Sequence, residues 1–179
     1  MIFADDTFHF EWLRTVGHAP YGAADIAECL ATASRITNAD MESWHREWFA
    51  TAERVRAGAE QSEAGGHQVS ARLAWLRASN YYRASEFFLH DHPDDPRLLA
   101  TWRASRDAFA RAAALLPHPA EAVEIPYAGT TLAGYFYRVD ATATPRPTLV
   151  FHGGLDSTLE ELYAAGAAAA VSQIGRAHV

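Results

Sequence analysis

The stretch with the clearest capacity for chemistry is Thr148-Leu149-Val150-Phe151-His152-Gly153-Gly154-Leu155-Asp156. Its first four residues are apolar on both faces, the pattern of a central strand covered by helices on either side. The run leads straight into two consecutive glycines. At the carboxyl end of such a strand, paired glycines let the backbone bend with φ above zero and bring its amides against a bound atom, where no side chain blocks the approach. Amides presented in this way stabilise an oxyanion, and one well-aimed donor is typically worth roughly 3 kcal/mol in the transition state. The bland alternative is a tight strand-to-helix turn. A phosphate-cradling loop is the other chemical reading, but the chain contains neither G-x-G-x-x-G nor a glycine loop ending in Lys-Ser or Lys-Thr.

Other reactive residue types have simpler explanations. His90-Asp91-His92 with Asp94 and Asp95 has the composition of a metal cluster, yet it falls between two helical patterns, and no H-E-x-x-H or paired-Cys motif supplies a further ligand. A solvated loop is expected there, and no metal or other cofactor. Tyr81-Tyr82 and Phe87-Phe88 suit core packing or the wall of a substrate cavity. Arg103, Arg106 and Arg111 fit the wet face of their helix, and Glu160 and Glu161 fit the first turn of another, where acids suit the helix dipole. Ser157 sits at a helix cap with no partner base to name. Cys29 is the only cysteine, so no internal disulfide forms, and a buried inert thiol is expected.

These residues must be positioned by two unlike stretches of chain. From Asn38 to Leu116 the apolar residues fall at helical spacing. One helix starts with Asn38 or Asp40 as N-cap, places Trp44 and Trp48 on one face, and ends before Gly65-Gly66. A second, over about Val69 to Leu89, has a stripe wide enough for burial on more than one side. A third starts at Asp95-Pro96, carries Leu98, Trp102, Phe109 and Leu116, and stops at Pro117-His118-Pro119. Ala23 to Ser34 is a weaker candidate. The tryptophans Trp44, Trp75 and Trp102 do not recur at a fixed period, which argues against a helical repeat array. After Pro119 the period changes to two. Val123, Ile125 and Tyr127 alternate, Ala128-Gly129-Thr130 turns, and Leu132 to Val139 returns as a hairpin. After a polar linker, Asp140 to Pro147, come the buried strand, the glycine turn and a helix capped by Ser157 or Thr158, with Glu160 or Glu161 completing a capping box.

The phrase Val150-Phe151-His152-Gly153-Gly154-Leu155-Asp156-Ser157-Thr158, behind a helical segment and a hairpin, resembles the α/β-hydrolase superfamily. It looks most like the subgroup of 2,6-dihydroxypseudooxynicotine hydrolase and the fermentation/respiration-switch esterase-like proteins. The resemblance implies an incomplete α/β hydrolase fold: a helical N-terminal cap-like segment over residues 1–117, then a hairpin, one buried strand and the first core helix over 118–173. Carried over by position, Gly154 supplies an oxyanion-hole amide with Leu155 next, while His152 and Gly153 support the turn. The implied activity is serine-hydrolase cleavage of an ester, amide or carbon–carbon bond in a small-molecule carbonyl substrate, without a cofactor. Homodimer contacts through the helical segment are also implied. The family carries its nucleophile in G-x-S-x-G on a later elbow, and that motif is absent from this chain. Residues 174–179, Ile-Gly-Arg-Ala-His-Val, correspond to ATC GGA AGA GCA CAC GTC, which resembles a sequencing-library adapter. A truncated gene with an artefactual tail is therefore expected, and an inactive chain.

Composition bounds the remaining options. The 179 residues are 49% hydrophobic and 21% charged, too apolar for disorder. All 15 basic residues are Arg, against 22 acids, for a net charge of -7. That balance argues against nucleic-acid or anionic-membrane partners, and the absence of Lys points to a GC-rich coding sequence, here expected to be bacterial. The N-terminus lacks the basic and apolar regions of a secretory signal, and no apolar run approaches membrane-spanning length, so a cytoplasmic location is expected. The rival from another class is a noncatalytic helical interaction module with a small α+β C-terminal part.

Overall fold

The computed structural model describes residues 1–142 and 144–173. The tail expected at 174–179 lies outside the described residues. Helices α1 (Asp6–Val16), α2 (Ile26–Ala33), α3 (Met41–Ala64), α4 (Gln68–Glu86) and α5 (Pro96–Ala114) form a bundle. The hairpin β1 (Glu121–Tyr127) and β2 (Thr130–Phe136) follows, and α6 (Ala168–Gln173) comes last.

The caps explain where the helices begin. Asp40 accepts the Ser43 amide at 3.0 Å and Asp95 accepts the Arg97 amide at 2.9 Å, with Pro96 in the first turn. Glycine explains the α3 stop, since Gly66 turns the chain with φ of 74°. The second expected helix ends earlier than Leu89, at Glu86, and tightens into a 3₁₀ turn over Phe87–Asp91. Helix α4 packs between α3 and α5 and buries Trp75, Tyr81 and Tyr82, so both sides are covered. The core is aromatic where α1, α3 and the 3₁₀ turn meet. Trp44 lies within 5.0–5.9 Å, ring centre to ring centre, of Phe3, Phe8, Trp48 and Phe88.

Two differences from expectation have physical causes. Helix α5 buries Thr101, Ser105, Ala108 and Ala112, while Leu98, Trp102 and Leu116 are only half-buried. Small residues let the backbones approach, and the Ser105 hydroxyl donates to the Ser79 carbonyl of α4 at 2.8 Å. Helix α1 carries no clean apolar stripe, because Glu11 and Thr15 share its buried face with Phe8 and Trp12.

The hairpin has the expected strands, closed by a two-residue turn: Ala128 and Gly129 have φ of 45° and 80°, as a twist-matched tight turn requires. The expected buried strand is not formed. Leu149 and Val150 are 60% and 86% exposed, and residues 148–151 pair with no strand among the described residues. A strand exists by its neighbours' hydrogen bonds, and the sheet described here has only two members. The following helix also starts late. Thr158 and Glu161 make the expected capping box, with reciprocal bonds of 3.2 and 3.4 Å, but the chain then passes through a wide π-type turn at Tyr163–Ala167 before α6. No helix among the described residues is long and apolar enough to cross a membrane.

Candidate active site

The glycine turn packs against the bundle. The Gly154 amide donates to Ser157 Oγ at 3.2 Å, and the Ser157 amide donates back to the Gly154 carbonyl at 3.4 Å. The expected reason for the glycines does not hold, since neither has a positive φ. A Cβ on Gly153 would lie 2.3 Å from Ser157 Cβ, whereas one on Gly154 would meet nothing within 4 Å. Gly153 is therefore fixed by close approach, and the side of Gly154 is open. Gly153→Ala is expected to displace the turn and shift the Gly154 and Ser157 amide resonances, while Gly154→Ala leaves the fold unchanged; a two-dimensional amide NMR spectrum distinguishes them.

His152 Nδ1 lies 3.0 Å from the Gly153 carbonyl and donates to it in the tautomer protonated there. Leu155 stands clear of the turn, fully exposed. Ser157 is occupied in the turn itself. Beside Leu155 opens a cleft of about 670 Å³ lined by Phe8, Phe87, Phe88, His90, Leu155 and Asp156. A second cavity of about 250 Å³ lies between the hairpin, Phe151 and Leu162. The first is the better candidate site because Leu155 and Asp156, which directly follow the glycine pair, line it. Of the aromatic pairs, Phe87 and Phe88 reach this cleft, whereas Tyr81 and Tyr82 are core.

Sequence patterning missed the charged cluster that holds the turn. Glu160 and Glu161, expected as first-turn acids that suit the helix dipole, are buried. Arg14 reaches Glu161 Oε1 at 2.6 Å and Asp156 Oδ2 at 2.8 Å, while Arg83, only 3% exposed, reaches Glu11 Oε2 at 2.9 Å and Glu161 Oε2 at 3.3 Å. The last contact is a charge contact without hydrogen-bond geometry, so Glu161 Oε2 has no hydrogen-bond partner among the described residues. The Arg14 hydrogen bond holds the Asp156 carboxyl below its ordinary range. Burial pushes the Glu160 carboxyl up, against the ion pair with Arg106 at 3.5 Å. A raised carboxyl pKa penalises the charged folded state, so Glu160 weakens the fold as pH rises above the ordinary carboxylate range and has no effect below it. Glu160→Gln is thus expected to raise the unfolding temperature at pH 7 and leave it unchanged at pH 3. Among the described residues of the cluster, the only ion pair between side chains close in sequence is that of Glu11 with Arg14, three residues apart on α1, which is the one local signal it carries.

The other reactive groups are used structurally. Burial pushes the Cys29 thiol up to about 12. His90 Nε2 pairs with Glu86 Oε2 at 2.6 Å, and no group of three or more metal-ligating side chains is found among the described residues. Arg106 and Arg111 are not simply wet, since they stack over Trp102 and Trp75 at 4.8 and 5.1 Å.

Comparison with known proteins places this architecture. The family model for FrsA-like esterases matches residues 21–166. Hydrolase LUC6 of Fusarium sp is 46% identical over 174 residues, covering 95% of this chain and 42% of the relative. The 20-hydroxy-prefusarin hydrolase FUS2 of Gibberella moniliformis is 44% identical over 177 residues, with the same coverage of 95% and 42%. These relatives are fungal, which gives no support to the expected bacterial source. The crystal structure of 2,6-dihydroxy-pseudo-oxynicotine hydrolase superposes with a TM-score of 0.66 at 25% identity, covering 83% of this chain and 40% of that one. The chain therefore spans about two fifths of the length of the proteins it matches. Its described fold is an incomplete α/β hydrolase fold, a helical segment followed by a two-stranded sheet.

Proposed function

The chain belongs to the FrsA-like esterase family, and from that premise we propose that it carries the helical cap and the oxyanion turn of a serine hydrolase. The division falls near residue 117. The observation that carries the reading is the Gly154 amide, which donates to an oxygen at 3.2 Å on a residue with open space where a Cβ would sit, one residue before the Leu155 that lines an aromatic-walled cleft. A substrate oxyanion would take the place of the Ser157 hydroxyl there. Gly154 donates first and Leu155 second, with His152 and Gly153 supporting the turn.

In this mechanism a serine hydroxyl attacks the carbonyl of a small-molecule ester, amide or ketone. Negative charge moves to the carbonyl oxygen, the amides hold it, and collapse expels the leaving group with a proton. Water then hydrolyses the acyl-enzyme, and no cofactor enters. The nucleophile is not in this chain, which has no G-x-S-x-G. The names of the relatives as hydrolases support the reaction class, and the open faces of Ile125, Tyr127, Leu149 and Val150 are those that a larger sheet and its helices cover.

The purified 179-residue chain is expected to show no turnover of p-nitrophenyl acetate that a serine-directed fluorophosphonate abolishes. Inhibitor-sensitive turnover would contradict the assignment of the nucleophile to residues outside this chain.

A further inference from the structure

Arg83 is an expensive residue to bury. An isolated guanidinium in the interior costs several kcal/mol of desolvation, and apolar replacements of similar volume often stabilise such sites. Two carboxylates, Glu11 and Glu161, neutralise it. Its remaining donor goes elsewhere: Nη2 donates to the main-chain carbonyl of Asp156 at 3.3 Å. Arg14 Nη2 donates to the same carbonyl, also at 3.3 Å, while its Nη1 holds the Asp156 carboxylate at 2.8 Å. Two guanidinium groups, from α1 and α4, thus converge on one peptide oxygen two residues beyond Gly154. The Arg83 group is also stacked over Phe87, 5.1 Å from the ring centre, which restricts its plane.

We infer that Arg14 and Arg83 are positioning residues for the oxyanion turn, fixing through the Asp156 carbonyl where Gly154 directs its amide. The inference rests on the hydrolase reading of that turn. In this chain residues 148–151 pair with no strand among the described residues, and the contacts from α1 and α4 are those that hold the turn. The arrangement suits catalysis, because misplacing a donor by about 1 Å can cost on the order of a hundredfold in rate. The planar arginine fork defines a carbonyl position more narrowly than the flexible, point-charge ammonium of lysine.

Backbone order in the 179-residue chain tests this. Amide order parameters for Gly153 to Ser157 are expected in the rigid range, about 0.85, and below about 0.6 in Arg14→Met. Arg14→Lys, which keeps the charge, is expected to recover part of the loss. Arg83→Lys, with one donor group where the fork had three nitrogens, is expected to loosen the same residues. The indole N–H resonances of Trp44 and Trp48 report bundle folding separately and should not move in Arg14→Met. A merely structural role would instead loosen α1 and α4 throughout. The inference is overturned if the turn is already mobile in the unsubstituted chain, or if it stays rigid in Arg14→Met with the bundle folded. If Arg83→Lys fails to fold, Arg14→Met decides alone. Because the readout is order and not turnover, its failure is distinct from failure of the hydrolase reading, which the ester assay decides.

Discussion

Replacing Trp44 with alanine is expected to lower the unfolding free energy by about 3–5 kcal/mol, measured by urea denaturation. Four aromatic rings surround the indole and its N–H donates to the Ala84 carbonyl at 2.7 Å. The substitution opens a cavity where α1, α3 and the 3₁₀ turn after α4 converge, and leaves that carbonyl without its partner. Domains of ordinary size have only about 5–15 kcal/mol of stability, so this one change removes a large share. Val69→Ala, at a position 61% exposed, is the matched control and should stay within about 0.5 kcal/mol of the parent. Equal effects at the two positions would mean that the aromatic cluster is not the core.

The second large effect is expected at Arg83. Arg83→Met leaves the buried Glu11 and Glu161 carboxylates with Arg14 as their one cation among the described residues, and breaking a buried ion pair from one side costs about 3–5 kcal/mol. Arg35, whose side chain is 45% exposed beside Glu47, provides the comparison, since surface ion pairs contribute about 0–1 kcal/mol. Both substitutions remove one guanidinium from a carboxylate partner. Arg83 is buried and bridges two carboxylates while Arg35 is half exposed beside one, so denaturation curves for Arg83→Met and Arg35→Met that coincide would contradict the buried network. The effect at Arg83 should also persist in 1 M salt, where exposed pairs are screened.

The difference between what patterning reveals and what it hides follows from range. Asp40, Asp95-Pro96 and Gly65-Gly66 act on their immediate neighbours, so the bounds of α3 and the start of α5 were legible. The Ala128-Gly129 turn is equally local. His152-Gly153-Gly154 was sharp enough to indicate the family, although the need for Gly153 comes from contact with Ser157 and not from a positive φ. The charged cluster was hidden because its members come from α1, α4 and the segment after the turn, as many as 147 residues apart. Arginine abundance had a codon explanation, and Glu160 and Glu161 had a local one, so nothing in spacing marked them as buried. Helix α1 was missed for the same reason: a buried face that includes Glu11 looks polar until Arg83 is beside it. The Thr148 to Phe151 pattern is that of a covered strand, but a strand requires partners that the described sheet does not supply.

The central claim is that this chain supplies a functional oxyanion turn to a serine hydrolase, and the most direct measurement is ester turnover by a chimera. In it, this chain replaces the matching segment of hydrolase LUC6, with which it is 46% identical over 174 residues, and circular dichroism confirms folding. The chimera is expected to turn over substrate and to tolerate Gly154→Ala, which keeps the amide. Gly154→Pro, which removes it, is expected to lower kcat by about 10²–10³ with the fold retained. A folded chimera that is inactive, or one in which Gly154→Pro and Gly154→Ala have the same kcat, would contradict the claim.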